Sequence, residues 1–102
     1  MATITLSDIL DDLRAADQAL RNFEQRYWLS SDVFYELYSQ GRLDDGEHLE
    51  DFSEWAGFCK IKKHREELLR RFSEKRVSEL QAMSEGDLVA LAPGEPVILV
   101  PA

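Results

Sequence analysis

Residues 46–82 run without a proline, and after Gly46 at the start Gly57 is the only glycine in that stretch. A helix over it would be roughly 55 Å long at about 1.5 Å per residue. That outruns a domain of 102 residues, so part of it is expected to pack on a second chain. Its apolar residues fall into two stripes: Leu49, Phe52, Trp55, Ala56 and Cys59, then Leu68, Leu69, Phe72, Val77, Leu80 and Met83. Between them, Lys60 to Glu67 holds one apolar residue, Ile61. A polar middle of this kind makes a helix either project from its core or change packing partner. Gly57 costs about 1 kcal/mol relative to Ala in a helix interior, unless it and Ala56 serve a close helix–helix approach.

Ahead of this helix the chain predicts two more. Ile9, Leu13, Ala16, Leu20, Phe23 and Tyr27 are spaced four, three, four, three, four, which brings them to one face of a helix over about 6–27. Ser7 is its candidate N-cap, with Asp8, Asp11 and Asp12 near the positive end of the helix dipole. Such a seam serves an intramolecular pair or a coiled coil equally well. A short helix over 31–40 follows, opened by a serine cap and ended by Gly41 in a left-handed conformation. Its aromatics, Phe34, Tyr35 and Tyr38, either pack in a core or face a partner. Arg42-Leu43-Asp44-Asp45-Gly46 reads as a turn.

After Ser84-Glu85-Gly86-Asp87 the character changes. Residues 88–91 and 97–100 are short apolar runs flanking a Pro/Gly turn, the pattern of a β-hairpin. Both runs are apolar on both faces, so the hairpin needs a cover from its own helices, a symmetry mate or another protein's edge strand. The expected fold is therefore mainly α: a helical hairpin of the first and third helices packed antiparallel, the second helix closing one end, and a C-terminal β-hairpin. Residues 1–83 would form the helical domain and 84–102 an appendage. The long helix and two-sided hairpin exceed one small core, which predicts a homodimer.

Composition excludes several classes. With 44% hydrophobic residues the chain is too apolar for full disorder. No run of apolar residues is long enough for a transmembrane helix, and the first residues lack the basic and apolar regions of a signal peptide. A lone cysteine, Cys59, forms no internal disulfide and fits a reducing cytoplasm. The net charge of −8 favours basic partners over polyanions. Only residues 60–80 are net basic, with eight bases against four acids. That stretch is either a solvated helix face with paired charges or a patch for nucleic acid.

No phosphate loop, nucleophile elbow, HExxH or CxxC motif is present. His48 and His64 are too far apart in sequence to ligate a metal from one helix face, and Cys59 lies on an apolar stripe without an evident base. The expectation is a non-enzymatic protein with no metal and no cofactor.

Arg26-Tyr27, Ser30 to Tyr35, Gly41, Leu43-Asp44-Asp45 and Asp51-Phe52-Ser53-Glu54-Trp55-Ala56-Gly57 together resemble a pattern of small bacterial and archaeal proteins. Those proteins are antitoxins of type II toxin–antitoxin pairs. The likeness covers about a third of the chain, residues 26–58, and rests on packing and turn residues. It implies a protein that neutralises a basic, toxin-like partner by direct contact. An acidic helical chain would associate quickly with such a partner. The contact residues expected on this reading are Trp55, Phe58, Val97, Ile98 and Val100. The competing readings are a homo-oligomeric assembly subunit and a DNA-binding regulator acting through Lys60 to Arg76.

Overall fold

The computed structural model describes residues 3–44, 46–84, 86–94 and 100–101. Three helices carry the fold: α1 (Leu6–Tyr27), α2 (Ser31–Ser39) and α3 (Leu49–Ala82). Helices α1 and α3 pack antiparallel, and α2 closes the end where α1 stops and α3 starts. The molecule is elongated, 59 × 28 × 22 Å, with a radius of gyration of 18.0 Å against about 13 Å for a compact chain of this size.

Local chemistry sets the helix ends. α1 is capped by Thr5, not Ser7: Asp8 N–H donates to Thr5 Oγ1 (3.1 Å) and Thr5 N–H donates to the Asp8 carboxylate (3.2 Å). This reciprocal box satisfies two backbone donors, whereas Ser7 already lies inside the first turn. α2 is capped by Ser30, whose Oγ accepts from Val33 N–H. It ends with Gly41 at φ 66°, Arg42 N–H reaching the Leu37 carbonyl and Gly41 N–H the Tyr38 carbonyl. That is the Schellman arrangement. α3 begins at Leu49 rather than 46, because Gly46 N–H is taken by Asp44 Oδ1 and residues 46–48 form a turn.

Among the described residues, the buried apolar side chains form two separate clusters. One joins Leu20, Phe23, Phe34, Phe52, Trp55 and Ala56 at the α2 end. The other joins Ile4, Ile9, Leu68 and Phe72 at the opposite end. Between Ala56 and Leu68 no side chain of α3 is fully buried. The polar middle stays beside the first helix. It pairs with α1: Arg65 Nε lies 2.6 Å from Asp12, and Lys62 Nζ lies 3.1 Å from Asp17, with Ala16 buried between the clusters. The acids of the first helix thus answer the bases of the third. Each pair is partly exposed and contributes at most about 1 kcal/mol, so their main effect is to set register.

Beyond Phe72, α3 projects past the start of α1. Residues 88–94 carry no strand, and the Arg76 guanidinium donates to the Ala92 carbonyl at 2.8 Å. Val100–Pro101 pair antiparallel with Thr3–Ile4, not with 88–91. The remainder of the expected hairpin, residues 97–99, lies outside the described residues.

A Cβ placed on Gly57 would meet nothing within 4 Å. Close helix approach therefore does not require this glycine. Gly57→Ala is expected to raise stability by about 0.5–1 kcal/mol in urea unfolding; a loss would show that the glycine accommodates something packed against it.

Candidate functional site

The end of the molecule built from residues 24–59 concentrates the chain's charge. It holds nine acids against Arg26 and Arg42, a net −7 of the total −8. Asp32, Glu36, Asp44, Glu47, Glu50 and Glu54 are all exposed there. Three helix ends bring these residues together, and buried aromatic packing holds the ends in place.

Trp55 is central to that packing. Its ring stacks on Phe34 (3.9 Å between centroids, 2° between planes) and on Phe23 (5.5 Å, 11°). Its indole N–H donates to Ser31 Oγ at 2.9 Å. Ser31 N–H in turn donates to Glu24 Oε2 (2.9 Å), and Arg21 reaches Glu24 Oε1 at 2.7 Å. The carboxylate of Glu24 therefore fills the anion position at the start of α2. Burial pushes the Glu24 carboxyl up, but the Ser31 amide and Arg21 outweigh it and leave the group below the usual range.

A second tie joins the end of α1 to the start of α3. Tyr27 Oη–H donates to Asp51, and Arg26 reaches the same oxygen at 3.0 Å. The Tyr27 hydrogen bond and Arg26 hold the Asp51 carboxyl below its ordinary value, while Asp51 raises the Tyr27 phenol. His48 lies edge-on to Tyr27. Among the described residues no three His, Cys, Asp or Glu side chains gather as metal ligands.

A cleft of about 580 Å³ opens between α1, the start of α2 and α3. Half of its charged lining is self-paired, through Asp17 with Lys62 and Arg21 with Glu24. Cys59 is at its edge, half-buried, and burial raises its thiol, with Asp32 and Glu24 adding to the effect. A thiol raised in this way is a poor nucleophile at neutral pH.

The expected contact residues separate. Trp55 is 1% exposed and belongs to the core, so it presents no surface in this fold. Its place on an apolar stripe is what buries it. Phe58 is half-buried and packs against the same cluster. Val97 and Ile98 lie outside the described residues, and Val100 is placed by backbone pairing with Ile4. Of the five, Trp55 and Phe58 share the cluster at the α2 end. Of the eight bases in 60–76, Lys62, Arg65, Arg70 and Arg76 already have partners within the chain.

The residue missed by sequence reasoning is Trp28. It is 93% exposed and left-handed, with φ 55°, at the end of α1, where its N–H bonds the Glu24 carbonyl. A large aromatic one step beyond a complete heptad seam, and just before a serine cap, belongs to neither helix's stripe. That was the available signal. No known protein family, curated protein or solved structure matches this chain.

Two outcomes follow from this geometry. Left-handed backbone costs a non-glycine residue about 1–2 kcal/mol, and the exposed indole forfeits little packing, so Trp28→Gly should stabilise the protein by about 1 kcal/mol in urea unfolding; a destabilised variant would reveal hidden packing of the ring. The lowered Glu24 and Asp51 carboxyls add stability that is present above about pH 4.3 and lost as pH falls through their folded values. The raised Tyr27 phenol adds stability present below about pH 10 and lost as pH rises through its folded value. Asp51→Asn should therefore flatten both limbs of the stability–pH curve, and unchanged limbs would mean that the tie is not formed in solution.

Proposed function

We propose that this chain is a non-enzymatic, antitoxin-like binding protein that neutralises a basic partner by direct contact and acts as a homodimer. The supporting observation is the segregation of charge: nearly all of the net charge lies on one end, around an exposed tryptophan. A field of that kind steers a basic protein toward the acidic end and disfavours acidic competitors. Aromatic side chains are frequent anchors once such an encounter complex closes. Trp28 is the one large aromatic among the described residues that offers nearly its whole ring. The acidic end, rather than Trp55 and the tail, then carries the contact.

The reading is tested by coexpressing the chain with basic proteins encoded next to it in its native genome. A relieved growth arrest and a complex surviving gel filtration are expected. The variant Glu47→Lys/Glu50→Lys/Glu54→Lys should weaken that complex by roughly tenfold or more, mainly through slower association. The proposal fails if no basic neighbour is bound, or if the triple variant binds as tightly as the parent chain.

A further inference from the structure

Among the described residues, the exposed large apolar side chains outside the acidic end are Ile61 and a group within residues 77–91: Val77 (43% exposed), Met83 (84%), Leu88 (84%) and Leu91 (77%). Val77 and Met83 lie where α3 projects past α1, and Ala92, next to Leu91, accepts from Arg76 there. On α3, Leu69 packs at the edge of the Leu68–Phe72 cluster, and Ser73, Val77 and Leu80 follow it at spacings of four, four and three, a stripe that continues past that cluster. A shallow groove follows it, lined by Arg70, Ser73, Glu74, Val77, Ser78 and Gln81. Serines on either side of Val77 keep this helix face low enough for another helix to approach closely.

Charge selects what covers this face. Residues 69–94 hold four bases and four acids and are net neutral, whereas residues 24–59 are net −7. A basic partner is drawn to the acidic end and gains nothing by steering at the neutral one. A second copy of the chain meets the reverse situation. Its acidic end repels its like, and its neutral apolar end does not. Arg70 and Glu74, paired within the chain at 3.0 Å, border the groove with one charge of each sign, so a like face meets no net repulsion there.

We infer that the projecting end of α3, from Leu69 to Met83, with Leu88 and Leu91 beside it, is the docking face for a second copy of this chain, which holds the two acidic ends apart. The two ends of the molecule then have different occupants: itself at one, a basic protein at the other. A dimer built in this way presents two acidic ends at once. The inference rests on the two-copy state in the proposed function and is independent of the basic partner.

Light scattering of the full chain across dilution gives the first readout. The expected mass is twice 11.7 kDa. Val77→Asp/Met83→Asp should halve it while circular dichroism keeps its helical signal. Leu49→Asp, an exposed apolar position on the acidic end, should leave the dimer intact. Spin labels on the native Cys59 provide a second readout that needs no substitution. With the acidic ends apart, each label lies well down α3 from the contact, and the pair distance should exceed roughly 45 Å at about 1.5 Å per helical residue. A wild-type monomer would overturn the two-copy state itself. A dimer that ignores Val77→Asp/Met83→Asp, or a label distance under about 30 Å, would overturn the assignment of the face.

Discussion

The stack of Trp55 on Phe34, with its indole N–H on Ser31, is the contact on which the acidic end depends. It fastens α2 to the α1–α3 pair, and α2 is too short to be stable alone. The same serine passes its backbone N–H to Glu24, so one chain of contacts links all three helices. Offset and stacked aromatic pairs add about 0.5–1.5 kcal/mol beyond burial. The buried indole donor also finds an acceptor, so packing and polar satisfaction agree at this position. The Tyr27–Asp51 tie joins α1 to α3 at this end, and the Trp55 anchor adds α2 to them against the mutual repulsion of the acids.

The charged belt between the two clusters explains how so acidic a chain folds on itself. Asp12 and Asp17 of α1 face Arg65 and Lys62 of α3. These pairs reduce like-charge repulsion within each helix and fix which residues of the hairpin stand opposite one another. Beyond the belt, on the α2 side, residues 24–59 hold nine of the chain's twenty acids against two bases. Segregation of charge follows the order of the sequence: two bases of α3 are matched where α1 runs beside them, and residues 24–59 carry only two bases of their own.

Helix periodicity made most of this architecture legible. The seam from Ile9 to Tyr27 gave α1 its length, Ser30 and Gly41 bounded α2, and the absence of proline carried α3 to Ala82. The Thr5 cap was missed because its box closes on Asp8 rather than the commoner Glu or Gln. The polar middle of α3 was misleading because its partners lie about fifty residues away in α1, beyond any local pattern. Trp55 was placed on a binding surface although its own stripe position called for burial. Trp28 was passed over because a turn between two good caps gives no period by which to judge a side chain. The apolar runs at 88–91 and 97–100 looked alike in sequence, yet 88–91 remains without a strand and Val100 pairs with the start of the chain.

The two tryptophans differ enough to report on the central claim directly, since Trp28 is open to solvent and Trp55 is enclosed. Acrylamide quenching of tryptophan emission should resolve an accessible and a protected component in the free protein. On saturation with the basic partner, the accessible component should disappear while the protected one is unchanged. A partner that binds and leaves Trp28 fully quenchable would contradict the assignment of the acidic end as the contact surface.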